Sequence, residues 1–164
     1  MRYEEISPEL RDALKAFEIG LLDQVVARRR PEDFAALRRL LAEDGEVSPN
    51  DRQRAMYALG KWDDPSVVPE IVARLPELKE SHRITAIEAL GRLGTGQARA
   101  AVEAHADDPS PHVRKFVVEA LSRIGDPAAE ETLRRMARED GQEWVRNLAA
   151  RRMQARAKRA PEQR

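Results

Sequence analysis

The residues best suited to chemistry in this chain are its three histidines, His82, His105 and His112. No two of them have the spacing of a helical metal pair, and no His-Glu-x-x-His pattern occurs. Cysteine is absent, which excludes thiol chemistry and Cys-based zinc sites. We expect His105 to be a hydrogen-bonded residue at the edge of a helical core, and His82 and His112 to lie in solvent where helices begin. The histidines therefore predict no metal site.

A second candidate is the glycine-rich stretch Gly91-x-x-Gly94-x-Gly96. Dinucleotide-binding glycine motifs follow a strand, whereas this stretch follows a predicted helix and occupies a place that carries Asp-Pro in other copies of a repeat. We therefore interpret it as a tight turn between helices. There is also no P-loop, no Gly-x-Ser-x-Gly and no nucleophile beside an identifiable base. The sequence predicts that the chain is not an enzyme and holds no cofactor.

The elements that position these residues repeat along the chain. Clear copies of one stretch begin at Arg52, Arg83 and Arg114, 31 residues apart, and a weaker copy begins at Arg146 after a 32-residue step. Self-similarity at such a period indicates a repeat architecture. No segment alternates with period two for long enough to form a strand. The prediction is an all-α fold in which antiparallel helix pairs stack side by side.

Positions that match between copies have a physical role. When the copies are aligned, each set of matching positions forms a column. Alanine recurs in one column, where a small side chain lets neighbouring helices approach closely, and leucine recurs in the next, where it fills the core. A third column supplies apolar residues from the second helix of each pair. The columns are Ala58, Ala89 and Ala120; Leu59, Leu90 and Leu121; and Ile71, Val102 and Leu133. We expect one core extended lengthwise, in which each repeat touches only its neighbours.

Each repeat arginine is preceded, six residues earlier, by an acid in the loop between repeats. The pairs are Glu46 and Arg52, Glu77 and Arg83, Asp108 and Arg114, and Asp140 and Arg146. A guanidinium can bond a carboxylate and loop carbonyls together because its N–H donors form a rigid planar fork. We expect a structural ladder of partly buried arginines that joins loop to helix and one repeat to the next.

These residues resemble a HEAT repeat: a valine before the arginine, then Ala-x-x-Ala-Leu-Gly, a Gly or Asp-Pro turn and a second amphipathic helix. Val113-Arg114 and Val145-Arg146 fit best, whereas Ser122 replaces the repeat glycine. The chain looks most like the short bacterial type seen in phycobilisome-lyase-like HEAT proteins, over about Pro31–Met153. The resemblance implies a curved, right-handed α-solenoid that binds other proteins on its concave face. It implies no single activity.

The repeats divide the chain into three parts. Residues 1–30 do not match the repeat and are expected to form an N-terminal capping helix or helices. This segment begins a helix at Ser7-Pro8, and the sequence leaves open whether Gly20 divides it. Residues 31–153 form the HEAT-like array, and residues 154–164 form a basic C-terminal extension. Atypical terminal elements of this kind are expected in repeat arrays.

Residues that vary between copies are the best binding candidates, and we expect the second helices to line the concave face. Their exposed columns change from apolar to mixed to basic along the array, so a peptide or helix with an apolar end and an acidic end would complement them. The predicted partner-binding residues are Val68, Val72, Arg99, Glu103, Glu130, Arg134 and Arg138. The leading hypothesis is a non-enzymatic adaptor that binds another protein.

Two alternatives remain open. Nucleic acid or an acidic partner would bind through the Arg-rich C-terminal helix, or the chain would be an accessory subunit of a lyase-like enzyme. The basic patch consists of Arg151, Arg152, Arg156, Lys158 and Arg159, with Arg28–Arg30 and Arg38–Arg39. Against nucleic acid, the chain has 29 bases and 29 acids, and only 4% of its residues are aromatic.

The expected setting is bacterial and cytoplasmic. The first residues lack the apolar core of a signal peptide, and no apolar run is long enough to span a membrane. We therefore expect a protein partner and no membrane partner. The sequence does not indicate an oligomeric state.

Overall fold

The structure, a computed structural model, describes residues 6–16, 19–42 and 47–159. All regular structure in these ranges is helical, which confirms the predicted all-α solenoid class. The helices are α1 (Pro8–Lys15), α2 (Ile19–Ala27), α3 (Pro31–Ala42), α4 (Pro49–Trp62), α5 (Val68–Arg74), α6 (Glu80–Leu93), α7 (Gly96–Glu103), α8 (Pro111–Ile124), α9 (Pro127–Glu139) and α10 (Glu143–Arg159). Single 3₁₀ turns at Pro65–Val67 and Leu75–Glu77 flank α5. None of the helices in these ranges is long and apolar enough to cross a membrane.

The helix boundaries follow from local sequence. Ser7, Ser48 and Ser110 each precede a proline, and each hydroxyl accepts a hydrogen bond from the backbone N–H three residues later. Serine satisfies an orphan N–H there, and proline needs no N–H partner in the first turn. Helices α6 and α8 end at Gly94 and Gly125, whose φ angles are 64° and 65°. Glycine adopts this left-handed conformation without the steric cost of a Cβ atom.

The described residues of the N-terminal segment form two helices, which bears on the question that the sequence leaves open. Ala16 is extended after α1, and α2 begins at Ile19. Gly20 lies inside α2 rather than between the two helices. Both helices pack on α4, and their buried residues include Leu10 and Leu22.

The array consists of two layers of helices. Helices α4, α6, α8 and α10 carry the recurring stretch and form one layer, here called the motif layer. Helices α3, α5, α7 and α9 alternate with them along the chain and form the alternate layer. Neighbours in the motif layer pack along much of their length, whereas neighbours in the alternate layer meet only locally. An array curves toward its more tightly spaced layer, so we infer that the motif layer is the concave side. This inference runs counter to the expectation that the second helices α5, α7 and α9 line the concave face.

Glycine explains the tight spacing of the motif layer. A Cβ atom on Gly60 would lie 2.6 Å from the Cβ of Ala89, and one on Gly91 would lie 2.6 Å from the Cβ of Ala120. These separations are shorter than any ordinary carbon–carbon contact. Neighbouring motif helices therefore touch backbone to backbone at these positions. The glycine column of one repeat packs on the alanine column of the next.

The core lies between the two layers and runs along the array. Residues of the predicted leucine column and of the second-helix column are fully buried: Leu59, Leu90, Leu121, Ile71, Val102 and Leu133. Trp62 is also buried, and its ring centroid lies 5.3 Å from that of Phe34. Trp144, by contrast, is 40% exposed. The two tryptophans thus differ in role, one in the core and one at the surface.

Candidate functional site

The repeat arginines join neighbouring repeats. Nε and Nη2 of Arg114 donate to the two carboxylate oxygens of Asp140 at 2.8 and 2.9 Å, and Nη1 donates to the backbone carbonyl of Asp108 at 2.8 Å. Arg83 follows the same pattern. Its Nε lies 2.9 Å from Oδ2 of Asp108, and its Nη1 donates to the carbonyl of Leu78 at 3.0 Å. Each of these arginines bonds the backbone of the loop before its own helix and the carboxylate of the next repeat.

Asp108, six residues upstream of Arg114, therefore supplies a backbone carbonyl to that arginine, while its carboxylate turns toward Arg83 of the preceding repeat. Arg146 likewise donates to the carbonyl of Asp140. Oε2 of the exposed Glu77 lies 3.5 Å from Nη1 of Arg74. Arg52 is half-buried, and Glu46 lies outside the described residues. The sequence offset identifies the ladder residues Asp108 and Asp140 but not which arginine each carboxylate contacts.

The carboxylates of this ladder are buried, since the side chains of Asp108 and Asp140 are 4% and 2% exposed. Burial opposes ionisation of Asp140, but hydrogen bonds from Arg114 and from the backbone N–H of Gln142 outweigh it and lower its pKa. The ionised carboxylate is thus the form that the fold stabilises. Because these charges bond each other, the ladder fits a structural role rather than the binding of a ligand.

The three histidines have different surroundings. Nδ1 of His105 is 3.6 Å from Oδ2 of Asp108, and burial lowers the pKa of His105, with only partial compensation from that carboxylate. Burial also lowers the pKa of His82. His112 is exposed, and its ring centroid lies 6.1 Å from that of Trp144. Among the residues that the structure describes, no group of three His, Asp or Glu side chains is arranged to hold a metal ion.

Charged residues of the alternate layer neutralise one another. Nη1 of Arg99 lies 2.5 Å from Oε2 of Glu103, and its Nε lies 3.0 Å from Oδ2 of Asp126. Further pairs are Arg38 with Glu70, Arg134 with Glu130 and Glu131, Arg135 with Asp107, and Arg138 with Glu139. Such dispersed exposed pairs are typical of a solvated face and contribute little individually. The predicted charge gradient on these helices is therefore largely cancelled within the array.

The apolar residues predicted to bind a partner on this layer are not available. Val68 is 1% exposed and belongs to the core, so its prediction as a binding residue is wrong. Val72 is partly buried and packs on the same core. The 3₁₀ turn at Pro65–Val67 explains the difference: the α-helix begins only at Val68, which changes the phase that the overlay of repeats assumes.

The predicted basic patch on α10 divides between inward and outward residues. Nη2 of Arg152 lies 2.6 Å from Oε1 of Glu119. Arg156 donates to the carbonyls of Ser122 and Gly125 at 2.9 and 2.6 Å. Arg156 thus caps the C-terminal end of α8, where carbonyls lack partners in their own helix. Arg152 and Arg156 bond within the array, which corrects the prediction that they present their charge to phosphates.

The remaining bases of the nucleic-acid hypothesis differ in their exposure and in their partners. Arg151 and Lys158 are exposed, and the side chain of Arg159 lies outside the described part of the chain. Arg39 is exposed. Others are engaged: Arg28 and Arg30 pair with Glu9, Arg38 pairs with Glu70, and Arg29 donates to the carbonyl of Trp62. The bases named in the hypothesis do not form one continuous free patch.

Capping of a helix end by a distant arginine recurs in the array, and sequence reasoning misses it. Arg54 donates to carbonyls at the end of α1, Arg74 to carbonyls at the end of α3, and Arg29 to the carbonyl of Trp62 at the end of α4. A cation at a helix C-terminus is favoured by the helix dipole. No local signal marks these arginines, because each cap lies in a different helix or loop from the end that it satisfies.

The exposed side of the motif layer carries a groove between α2, α4 and α6, here called the N-terminal groove. Its lining residues are Ile19, Leu22, Gln53, Arg54, Tyr57 and Thr85. Ile19 is 53% exposed and the adjacent Leu21 is 41% exposed, although both are apolar. Neighbouring exposed apolar side chains beside a groove are typical of binding surfaces.

A second groove, here called the α6–α8 groove, lies one repeat further along. Its lining residues are Glu88, Lys115, Phe116, Glu119, Ala120 and Arg123. Thr85 in the N-terminal groove and Glu88 in this one are about one turn apart on α6, so the two grooves adjoin. Nζ of Lys115 lies 4.9 Å from the centroid of the Phe116 ring. Arg123 is exposed and has no ion pair among the described residues.

A charged cluster surrounds Tyr57 on the same surface. Oδ1 of Asp23 accepts hydrogen bonds from the hydroxyl of Tyr57 at 3.0 Å and from Nζ of Lys61 at 2.7 Å. Burial opposes ionisation of Asp23, but the bonds from Lys61 and Tyr57 lower its pKa. Lys61 Nζ and Arg92 Cζ lie 4.8 and 5.7 Å from the centroid of the tyrosine ring. Two cations and one carboxylate share this ring, so positive charge is in excess.

Comparison with known proteins agrees with this architecture. A family model described as HEAT repeats matches residues 35–105 and 71–154. Among solved structures, the chain is similar to one described as the complex of CpcE and CpcF of phycocyanin lyase from Nostoc sp. PCC7120, with a TM-score of 0.65 and 23% sequence identity. That match covers 90% of this chain and 64% of the other, so the present chain spans less than two thirds of its relative. At this identity the likeness shows the fold. No curated protein matches the sequence.

Proposed function

The chain belongs to the HEAT-repeat family, and on that premise we propose that it is a binding module that holds a segment of another protein along its motif layer. One observation carries the proposal, namely the contrast between the two layers. The alternate layer pairs its charges internally. The motif layer presents two adjoining grooves with half-buried aromatic rings and exposed charge.

Tyr57 and Phe116 are the proposed anchors, one in each groove. Aromatic side chains bury a large area on binding and dominate the energetics of many interfaces. Both rings are already held in place, Tyr57 by Asp23 and Phe116 beneath Lys115. A ring that is ordered before binding loses little rotamer freedom, so more of the contact energy appears as affinity.

The shape of the surface favours a segment over a globular face. The grooves adjoin on α6 and together cross α4, α6 and α8. An extended or helical segment laid across the repeats therefore contacts each motif helix in turn. This is how stacked repeats generally use their long concave surface.

The test is recovery of a partner by the tagged chain from a lysate of the organism that encodes it. The wild type is compared with Phe116→Ser and with Arg134→Glu, Arg138→Glu, which alters the alternate layer. We expect a stoichiometric protein partner that is retained by the second variant and lost by the first. If the partner were lost only in the alternate-layer variant, binding would lie on the opposite face, which would contradict the proposal.

A second candidate function is that of a non-catalytic subunit that assists a lyase-like enzyme. Its support is the likeness to a solved complex of phycocyanin lyase, which motivates the idea without transferring any activity. The identity of the recovered protein separates the two candidates. An accessory role requires an enzyme subunit whose turnover changes when the chain is added, whereas an adaptor role requires no such change.

A further inference from the structure

We propose, as an inference that rests on the proposed function, that the partner segment is acidic and amphipathic. Its apolar end occupies the N-terminal groove, and its carboxylates contact half-buried and exposed cations of α6, α8 and α10. Four cations on this surface carry the argument: Arg92, Lys115, Arg123 and Arg151.

The apolar end of the segment is indicated by the N-terminal groove. Ile19 is half-exposed there, and Leu22 and Tyr57 line the same groove. Covering such a surface removes apolar area from water at about 25 cal/mol per Å². Polar side chains line the rim, among them Gln53, whose Nε2 donates to Oγ1 of Thr85 at 2.9 Å. An apolar centre with a satisfied polar rim is the usual anatomy of a protein interface.

Arg92 is the first cation beyond the apolar groove, and the fold leaves it without full satisfaction. Its Nη1 is buried and has no hydrogen-bond acceptor among the described residues. The nearest acid of the cluster, Asp23, already accepts from Tyr57 and Lys61. Arg92 as a whole is half-buried, so a partner's carboxylate on its accessible side would be attracted to its charge without reaching the buried Nη1, and charge-assisted contacts are stronger than neutral ones.

The positive charge continues along the next helices. Lys115 and Arg123 line the α6–α8 groove, and neither has an ion pair among the described residues. Of the two acids of that groove, Glu119 is neutralised by Arg152 at 2.6 Å. On α10, Arg151 takes the place that Glu119 has on α8, 32 residues earlier in the sequence, and its side chain is exposed. Cations therefore exceed acids from α6 to α10.

The spacing of these cations suits a helical partner. Arg92 and Arg123 occupy the same column in successive repeats, 31 residues apart. Packed neighbouring helices are about 8–10 Å apart. Acids seven residues apart on one face of a helix are separated by roughly 10.5 Å along its axis. A helix with acids at this spacing would therefore place one carboxylate over each motif helix.

Protein is favoured over nucleic acid by the acids within the surface. Glu88 lines the α6–α8 groove together with Lys115 and Arg123. Nucleic-acid affinity comes chiefly from neutralising a continuous row of phosphates, and a carboxylate in that row would repel them. A protein segment can place an apolar or basic residue opposite Glu88. Salt should weaken either complex, because exposed charges are screened over about 10 Å at 0.1 M salt.

The experiment is a selection of random peptides of about 18 residues, the length of a helix that spans roughly 27 Å, against the immobilised chain. Enriched peptides are then synthesised, and their affinities are measured by fluorescence anisotropy. The test variant is Arg123→Glu, Arg151→Glu on the motif layer. Its matched control is Arg134→Glu, Arg138→Glu on the alternate layer, which changes the net charge by the same amount. Thermal unfolding of each variant checks that the fold is intact.

We expect enriched peptides with apolar residues at one end and aspartate or glutamate at the other. Their affinity should fall at least about tenfold for the motif-layer variant, because like charges now face each other, and should not change for the control. Peptides that bind and are lost in Phe116→Ser, but have no acidic bias, would refute the acidic partner and leave the proposed function standing. Recovery of no binding peptide would count against both.

A mixed-sequence single-stranded DNA serves as a competing probe in the same assay. We expect this DNA to bind more weakly than the selected peptides at equal salt. Tighter binding of the DNA, lost in Arg123→Glu, Arg151→Glu and kept in the control, would assign the surface to nucleic acid and overturn the inference.

Discussion

The two layers of the array are built from similar helices but are held together in different ways. In the motif layer, glycine and alanine bring backbones into contact, as at Gly91 and Ala120. In the alternate layer, the long side chain of Arg99 reaches from α7 to Asp126 at the start of α9. From close backbone packing on one side and side-chain bridges on the other, we infer that the array curves toward the motif layer. Arg99 and Glu103 of the alternate layer pair with each other, whereas Lys115 and Arg123 of the motif layer have no ion pair among the described residues.

The comparison teaches that repetition and recognition use different residues of the same helix. On α8, Arg114, Ala120 and Leu121 serve the stacking of repeats, through the ladder, the close contact and the core. On the exposed side of that helix, Phe116 lines a groove and differs from Thr85, its counterpart in the preceding copy. A helix of this kind can change its binding specificity without a change in its packing.

The largest expected effect tests the close contact of the motif layer. Gly91→Leu should destabilise the fold by about 4 kcal/mol or more, because its Cβ would lie 2.6 Å from the Cβ of Ala120. Gly96→Leu in the alternate layer is the matched control, since a Cβ there meets nothing within 4 Å. Denaturant unfolding of both variants measures the difference. Equal stability of the two variants would remove the argument for tight motif-layer packing.

The next effect compares a buried ion pair with an exposed one. Asp140→Asn leaves Arg114 without its carboxylate and should cost about 3 kcal/mol of unfolding free energy. Glu131→Gln, which weakens an exposed pair with Arg134, should change stability by less than about 0.5 kcal/mol. Urea titration of the two variants at neutral pH makes the measurement.

The pH dependence of the same pair has a defined sign. The folded-state pKa of Asp140 is lowered, so its contribution is complete above the unfolded value of about 3.9 and is lost as the pH falls through the folded-state pKa. Stability of the wild type should therefore decline more steeply in acid than that of Asp140→Asn. If the stabilities of the two proteins fell in parallel as the pH was lowered, the ionised carboxylate of Asp140 would not be selectively stabilised in the fold.

A smaller effect concerns the arginine caps. Arg156→Ala removes two hydrogen bonds to carbonyls at the end of α8 and should cost about 1–2 kcal/mol. Arg138→Ala removes only an exposed pair at 3.7 Å with Glu139 and should be neutral within about 0.5 kcal/mol. The shift of the thermal midpoint reports both. If Arg156→Ala proves neutral, α10 is held by its apolar contacts alone.

Local sequence predicts much of this fold, because its signals act over a few residues. Ser110-Pro111 begins α8, Gly125 ends it, and the alanine and leucine columns identify the buried face. These features depend on capping, backbone conformation and helical periodicity, all of which are readable from one sequence. The class of fold follows from their repetition.

The candidate site depends on distances between repeats, which one sequence does not contain. The overlay of copies shows that Gly60 and Ala89 recur, but not that they touch, and hence not which layer is concave. It places Asp140 in the ladder, but the carboxylate bonds Arg114 rather than Arg146, which is nearer in sequence. The sequence alone places Arg156 on the surface. Its hydrogen bond to the carbonyl of Gly125, at the end of α8, is visible only in the structure.

Site-specific photo-crosslinking on both layers distinguishes binding along the motif layer from binding along the alternate layer. A benzophenone amino acid is placed singly at Thr85 and Glu88 on the motif layer, and at Glu131 and Arg138 on the alternate layer. The complex with the recovered partner is irradiated, and adducts are measured by mass spectrometry. We expect adducts from Thr85 and Glu88, with none from Glu131 or Arg138. Adducts confined to Glu131 and Arg138 would contradict it, because recognition would then use the layer whose charges the array already pairs.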